Sequence, residues 1–301
     1  MASVASTNQS APASKAKSFF AGITMVIIFI FAWVFYIWVL GSPSNFQEGL
    51  ANATNGLEKS SVFFQNGDPG HPVDIKPDGT PAGIAKWLGT VFKGGIIVPF
   101  LMSFFLMVIT FSVERMLTIG KASGTGSVED FVRKIKSMLS ADNVDGAIAE
   151  CAKQEGSVGN VIQSVLRKYK EMLSETGMAK DQKVLSIQKE LEDATALELP
   201  MLEKNLTILA TLASVSTLVG LLGTVLGMIR AFAALAQAGA PDSSALSTGI
   251  SEALINTALG IGSSAFAIIF YNLFTSKIDN LTYSIDEVGF SIIQTFGSKS
   301  K

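Results

Sequence analysis

The chain is long, apolar and close to neutral, and these properties exclude several classes of protein. Of its 301 residues, 48% are hydrophobic and 16% are charged, and the formal net charge is −2 at pH 7. Soluble domains carry about 25% charged residues, so this composition is that of a membrane protein. The near-zero charge argues against nucleic acid as a partner. With one cysteine and one histidine, the chain has no internal disulfide framework, no His-based metal site and no His-based triad.

The N-terminal third predicts a tail, a membrane helix and a long loop. Residues 1–18 are rich in Ser, Ala, Thr and Lys and predict a flexible cytoplasmic N-terminus. Residues 19–40 are uncharged and reach the ~20 residues that a spanning helix needs, so we interpret them as a retained transmembrane helix. Residues 41–93 are rich in Gly, Pro and Asn and predict a periplasmic loop, in which His71 is an exposed residue and not a ligand.

A second uncharged run, residues 94–113, predicts another transmembrane helix, whose cytoplasmic end is marked by Glu114 and Arg115. Residues 114–204 hold most of the lysines and arginines and predict a cytoplasmic helical domain. Cys151 lies in a helical pattern of this domain. We interpret it as a small buried residue, because no histidine is available to activate it as a nucleophile.

Several helix ends in this domain are predicted from capping residues. Ser127 and Asp130 have the spacing of a capping box. Asp142 and Ser157 are candidate N-caps for two further helices. The last helix of the domain meets Pro200, which predicts a kink or a boundary at that position.

Residues 205–236 predict the third transmembrane helix, in which small or hydroxyl side chains recur at alternating spacings of three and four. On a helix such residues form one stripe. The stripe consists of Ala210, Ala213, Thr217, Gly220, Thr224, Gly227, Ala231 and Ala234. A stripe of small residues lets another helix approach closely, and its hydroxyls offer hydrogen bonds within the membrane. Gly223 and Gly227 add a GxxxG spacing, which is frequent in membrane helices.

A short loop, residues 237–248, precedes a fourth transmembrane helix over residues 249–275, and residues 276–301 predict a cytoplasmic helix and tail. The fourth helix carries a similar stripe, Ala253, Thr257, Gly260, Ser264 and Ala267. The same phase continues in larger apolar residues, Tyr271, Phe274, Ile278, Leu281, Ile285, Val288 and Ile292. We therefore expect one helix of ~60 Å, whose lower end packs a coiled-coil-like core.

Glu252 is the only acidic residue in the last two membrane runs. A carboxylate in the membrane usually faces an aqueous path or a partner, so we favour a functional role. The alternative is that Glu252 lies at the headgroup level and pairs with Arg230, and both can hold. Thr224 and Thr257 can each bond back to their own helix. Together, near a carboxylate, they indicate a polar lining that holds water or a partner's carboxylate.

These residues carry a resemblance to a known family. The strings KNLTILATLASVSTLVGLLGTVLGMIRAF and GISEALINTALGIGSSAFAIIFYN resemble the ExbB/TolQ/MotA family of proton-driven motor subunits, and ExbB most closely. The resemblance is strong over residues 203–272 and rests on GLxGTVxGM and EALxxTAxG. The pair Glu114 and Arg115 also stands where many members carry the same two residues.

The resemblance implies a homopentamer in the inner membrane of a Gram-negative bacterium. The orientation follows from the four predicted helices, whose inner ends carry basic residues and so predict that both termini are cytoplasmic: Lys17, Arg115, Lys204 and Lys277. The last two helices would line a pore holding two copies of an ExbD/TolR-type partner, each with an essential aspartate. Below the membrane, the large apolar residues of the fourth helix would close the cytoplasmic core of the pentamer. Proton flow would turn the partner and energise a TonB-type protein, with the proton motive force in place of a cofactor and no catalytic residue or metal. Thr224 and Thr257 match the pore threonines of the family, and Glu252 matches its glutamate at the outer entrance.

We assign further roles within this framework. Thr217, Asn256 and Ser264 are predicted to line the proton pathway with the matched residues. Gly220, Gly223, Gly227 and Gly260 are predicted to allow close helix packing. The sequence departs from the family where Thr217 and Phe266 replace prolines, and its extra N-terminal helix is similar to that of ExbB-like proteins from Bacteroidota.

Other functions remain open from the sequence alone. A TolQ-like or gliding-type motor stator would use the same architecture. A secondary transporter would normally show internal repeats or broken helices, which the sequence lacks. A receptor or scaffold would sense a ligand through residues 41–93 and signal through residues 114–200.

Overall fold

The computed structural model describes residues 12–42, 45, 84–237 and 243–299. All secondary structure in these residues is helical. The helices are α1 (Pro12–Phe35), α2 (Ile84–Phe92), α3 (Val98–Ala122), α4 (Val128–Ser140), α5 (Val144–Gln154), α6 (Gly156–Ser174), α7 (Lys180–Glu203), α8 (Leu206–Gln237) and α9 (Ser243–Lys299). A π-helical turn, Tyr36–Leu40, extends α1, and a 3-10 turn, Gly95–Ile97, precedes α3.

The described residues include four helical stretches that are long and apolar enough to cross a membrane. These stretches are Ala21–Leu40, Gly95–Ala122, Lys180–Ala233 and Leu246–Lys299. The chain is therefore an all-helical integral membrane protein with four candidate spans, as the sequence predicts. The expected single helix at the C-terminal end is also confirmed, because α9 is uninterrupted over 57 residues.

Three segments predicted as tail or loop are helical. α1 begins at Pro12, so residues 12–18 are not a flexible tail. Proline is well tolerated in the first turn of a helix, and the alanines and lysines that follow are strong helix formers. α2 occupies the end of the predicted loop 41–93, and α9 starts six residues before 249. Residues 43, 44 and 46–83 of the predicted loop, including His71, lie outside the described residues.

The predicted N-cap at Ser127 is confirmed, because its hydroxyl accepts a hydrogen bond from the Asp130 amide at 3.4 Å. The predicted cap at Asp142 is wrong. The cap of α5 is its neighbour Asn143, whose side chain accepts from the Gly146 amide at 2.9 Å. Asp142 instead adopts a left-handed conformation with φ of 59°. Asn and Asp are similar as caps, so their order in the sequence did not distinguish them.

One other predicted boundary, at Ser157, also differs, whereas the boundary predicted near Pro200 falls three residues beyond it. α6 begins at Gly156, so Ser157 lies inside the helix and is not its N-cap. Pro200 lies inside α7, which continues to Glu203. The proline removes one backbone hydrogen bond close to the end of the helix, and the chain then turns through Asn205, which has φ of 65°.

The chain divides into two compact units. The first contains the described residues of Met1–Ile109 together with Leu212–Phe266, and the second contains Thr110–Thr211 and Ala267–Lys301. In the first unit, a core cluster joins the π-helical turn to the start of α3 through Tyr36, Leu40, Phe92 and Val98. This cluster fixes the short helix α2 against the end of α1.

In the second unit, the C-terminal part of α9 packs on helices of the same chain. Its buried residues are Phe274, Ile278, Leu281, Ile285, Val288, Ile292 and Phe296. Phe296 contacts Tyr169 edge-to-face at 5.1 Å, and Lys136 pairs with Glu287 at 2.6 Å. The expectation that this apolar seam closes the core of a pentamer is therefore wrong. It is covered by its own chain, and Phe290 lies on the opposite, exposed face.

Glu114 and the buried Arg115 form an ion pair in the second unit, at the junction of α7 and α8. The guanidinium of Arg115 donates to both carboxylate oxygens of Glu114, at 2.7 and 2.5 Å. It also donates to the carbonyls of Met201 and Leu202, at 3.4 and 3.3 Å. These carbonyls belong to the last turn of α7 and have no partner within the helix, so Arg115 caps its C-terminus.

Candidate functional site

The small stripes of α8 and α9 face each other within one chain. A Cβ placed at Gly220 would lie 3.0 Å from the Cα of Gly260, and one at Gly227 would lie 2.8 Å from the Ala253 amide nitrogen. A Cβ at Gly223 would lie 2.8 Å from the Cγ of Asn256. The four glycines predicted for close packing therefore lie at this helix contact, where a larger residue would force the helices apart.

Thr224 and Thr257 lie opposite each other at this contact, and their hydroxyls are hydrogen-bonded to each other. Each hydroxyl also bonds back to its own helix. Thr257 donates to the Ala253 carbonyl at 3.1 Å, and Thr224 donates to the Gly220 carbonyl at 3.3 Å. Both residues remain half-buried. Each hydroxyl has one proton, so the bond between the two threonines leaves one of the two bonds to a helix carbonyl in place at a time.

Glu252 and Arg230 form the ion pair that the sequence suggested. The side chain of Glu252 is 9% exposed, whereas that of Arg230 is 52% exposed. A third residue, Gly95, lies against the pair with φ of 74°. A Cβ at Gly95 would lie 3.0 Å from the Glu252 Cδ and 3.4 Å from an Arg230 guanidinium nitrogen. Both the backbone conformation and the space therefore favour glycine at this position.

The other predicted lining residues have different surroundings. Asn256 is fully buried, and its Nδ2 donates to the Gly94 carbonyl at 2.9 Å. Ser264 is also buried, and its hydroxyl donates to the Ala213 carbonyl at 2.6 Å. Both residues were predicted to line a pore, but in this chain both fill contacts inside the first unit. Thr217 is half-buried.

Sequence reasoning missed two residues that belong to this region. Gly95 contacts Glu252, and the only local signal was a glycine pair ahead of an apolar run. Ser216 is fully buried beside the α8–α9 contact, and its hydroxyl has no hydrogen-bond partner among the described residues. Its position was not predicted, because Ser216 is outside the three-and-four spacing of the stripe.

The ion pair of Glu252 and Arg230 and the hydroxyl pair of Thr224 and Thr257 lie on the same two helices, α8 and α9. Glu252 and Thr257 are five residues apart on α9, which corresponds to a rise of about 7.5 Å. A carboxylate can accept and release a proton, whereas threonine hydroxyls can only donate and accept hydrogen bonds. Within the described part of the chain, no group of three His, Cys, Asp or Glu side chains is placed to hold a metal ion.

The fold and these residues define a helical membrane protein with paired hydroxyls between its last two helices, and comparisons with known proteins assign its family. A model of the MotA/TolQ/ExbB proton channel family matches residues 157–287. An ExbB-like biopolymer transport protein of Synechocystis sp. is 32% identical over 187 residues, covering 61% of this chain and 82% of that relative. The chain belongs to the MotA/TolQ/ExbB proton channel family.

Two further relatives cover shorter segments. The Tol-Pal system protein TolQ of Pseudomonas aeruginosa is 30% identical over 127 residues, which are 42% of this chain and 55% of that relative. The biopolymer transport protein ExbB of Helicobacter pylori is 42% identical over 94 residues, which are 31% of this chain and 64% of that relative. The family resemblance stated from the sequence is thus confirmed, including its ExbB-like character.

Proposed function

We propose that this chain is the proton-channel stator subunit of an inner-membrane motor. In this proposal, it forms a homopentamer with both termini in the cytoplasm, and an ExbD-type partner occupies the pore. The complex uses the proton motive force to energise TonB-dependent transport across the outer membrane. Membership of a proton channel family and similarity to proteins named for biopolymer transport support this proposal.

The observation that carries the proposal is the hydroxyl pair of Thr224 and Thr257. The two hydroxyls lie on helices otherwise rich in apolar residues, and both side chains are half-buried rather than enclosed. In a membrane, such hydroxyls are hydrogen-bonding groups that a carboxylate on a neighbouring helix can use. The proposal assigns them to the aspartate of the partner, and it assigns Glu252 to proton entry.

The hydroxyl pair is tested by Thr224→Val and Thr257→Val, which keep the side-chain shape and remove the hydroxyl. We expect both variants to assemble normally and to lose partner-dependent energisation, measured as substrate uptake in cells. Thr211→Val is a matched control on the same helix as Thr224, because within the described part of the chain the Thr211 hydroxyl bonds to the Thr207 carbonyl alone, at 2.8 Å. Full uptake by both test variants would contradict the proposed role.

Proton entry is tested by Glu252→Ala in liposomes that contain the complex with its partner and a pH-sensitive dye. We expect a slower proton influx, because the variant removes the titratable group at the α8–α9 contact. A variant that changes only the amount of protein in the membrane, with unchanged influx per complex, would show that Glu252 has a structural role alone.

Similarity to a Tol-Pal system protein supports a second candidate, a TolQ-like role in envelope integrity. The two candidates differ in the phenotype of a deletion strain. Loss of TonB-dependent uptake supports the first, and sensitivity to detergent with intact uptake supports the second. A secondary transporter would instead move substrate in liposomes that contain this chain alone.

A further inference from the structure

The Gly94–Gly95 turn between α2 and α3 contacts α9 at two points. Gly95 packs against the Glu252 carboxylate, in a backbone conformation with φ of 74°. One helical turn further along α9, the buried Asn256 side chain donates to the Gly94 carbonyl at 2.9 Å. The turn therefore covers Glu252, the buried member of the ion pair, and is hydrogen-bonded to the same helix through Asn256.

The N-terminal region holds this turn in place. The Tyr36 hydroxyl, at the end of α1, donates to the Phe92 carbonyl at 3.2 Å, just before the turn. The two rings stack with centroids 4.8 Å apart, and both side chains are buried in the core cluster of the first unit. A polar bond and an aromatic contact thus connect the end of α1 with the segment that reaches Glu252.

We propose that the Gly94–Gly95 turn, supported by the N-terminal helix, is a positioning element that fixes the Glu252 carboxylate against Arg230. Gly95 sets the position by occupying the space beside the carboxylate, and Asn256 sets it by holding the backbone of the turn. The use of this positioning for proton entry rests on the proposed function. The positioning itself can be tested without any proton transport.

The buried side chain of Asn256 lowers the stability of the fold, and this supports a positioning role for Asn256 over simple packing. The Oδ1 atom of Asn256 is buried and has no hydrogen-bond partner among the described residues. An unpaired buried polar atom is destabilising, so an apolar residue would pack at this position at lower cost. Only a side chain with a donor can hold the Gly94 carbonyl at this position.

The first test compares Gly95→Ala with Gly126→Ala. Gly126 has φ of 86°, and a Cβ added there would have no atom within 4 Å, so its variant carries the backbone strain without a collision. We expect Gly95→Ala to lower the midpoint of thermal denaturation in detergent more than Gly126→Ala does. In a Glu252→Ala background, which removes the carboxylate, the two alanine variants should have equal effects. Equal effects in the parent chain as well would overturn the proposal.

The second test measures the accessibility of the carboxylate. The full chain in detergent is treated with dicyclohexylcarbodiimide, and the modification of Glu252 is followed by peptide mass spectrometry, with Glu252→Gln as the blank. We expect faster modification in Gly95→Ala and in Asn256→Ala than in the parent chain. If Gly95→Ala does not fold, Asn256→Ala still decides the result, because it removes the bond to the turn and adds no atom beside the carboxylate. Unchanged modification rates would overturn the proposal.

These readouts separate the two proposals. A Glu252→Ala complex with normal proton influx would contradict the entry role of Glu252, whereas the denaturation and labelling results would still support the positioning. Unchanged labelling together with impaired influx would overturn the positioning and leave the proposed function intact.

Discussion

The contact between α8 and α9 can be tested with two glycines that lie two residues apart on α9. A Cβ at Gly260 would lie 2.7 Å from the Ser216 carbonyl oxygen and 2.8 Å from the Gly220 Cα. Both are backbone atoms, which cannot move without moving α8. At Gly262, no atom lies within 4 Å of such a Cβ. Gly260→Ala and Gly262→Ala therefore add the same methyl group with and without a collision.

The magnitudes follow from two opposing effects. Alanine is favoured over glycine in a helix interior by about 1 kcal/mol, so Gly262→Ala should be stabilising by up to that amount. Gly260→Ala has the same gain, but overpacking costs about 1–3 kcal/mol. Since the helix propensity is common to both variants, their difference in the free energy of unfolding isolates the collision. We expect Gly260→Ala to be less stable than Gly262→Ala by about 1–3 kcal/mol.

The assay is denaturation in detergent, followed by helicity, with proton influx as a second readout. We expect Gly260→Ala to lower influx as well, because separating the helices also separates the hydroxyls of Thr224 and Thr257. Equal stability and equal influx in the two alanine variants would refute the close contact of α8 and α9. Loss of stability with full influx would refute only the link to the hydroxyl pair.

Three further predictions concern the second unit. Arg115→Met should destabilise the chain by about 1–3 kcal/mol in the same denaturation assay, because it removes the donor to the Met201 and Leu202 carbonyls and the charged partner of the half-buried Glu114. An undiminished denaturation midpoint would contradict this role of Arg115. Burial raises the pKa of the Cys151 thiol to about 12, so maleimide should label Cys151 slowly at neutral pH until the protein is unfolded. Rapid labelling of the folded chain would be inconsistent with this burial. Phe290→Ser should reduce the amount of the proposed homopentamer in native mass spectra without lowering the denaturation midpoint, because Phe290 is 67% exposed in one chain. An unchanged oligomer would place Phe290 outside the subunit contact.

Periodicity in the sequence predicted which residues share a helix face, but not what covers that face. The spacing of three and four placed Thr224 and Thr257 in corresponding stripes, and the structure brings the two hydroxyls together. The same spacing continued through Phe274 and Ile285, where the prediction of an intersubunit core failed. These residues are buried by other helices of the same chain. A helical repeat contains no information about whether the covering surface belongs to the same chain or to another copy.

The N-terminal part of the site was not predictable from local patterns. The predicted loop ends in an amphipathic helix, α2, whose apolar residues Ile84, Leu88 and Val91 have helical spacing. The glycines and prolines around it obscured this signal. The contact of Gly95 with Glu252 joins residues far apart in the sequence, and no pairwise pattern indicates it. A left-handed glycine is recognised only when its backbone conformation is known.

The structure also narrows the surface that a partner helix could meet in the proposed pore. Of the predicted lining residues, Glu252, Asn256 and Ser264 are buried by contacts within the chain, whereas Thr217, Thr224 and Thr257 remain half-buried. Exposed leucines and isoleucines surround the threonines on the same helix faces. Among the predicted lining residues, the three threonines are therefore the ones whose hydroxyl groups a carboxylate of a partner helix could reach. Charged carboxylates are costly against apolar residues in a membrane, so the proposed proton exchange of the partner would be favoured at the depth of these threonines.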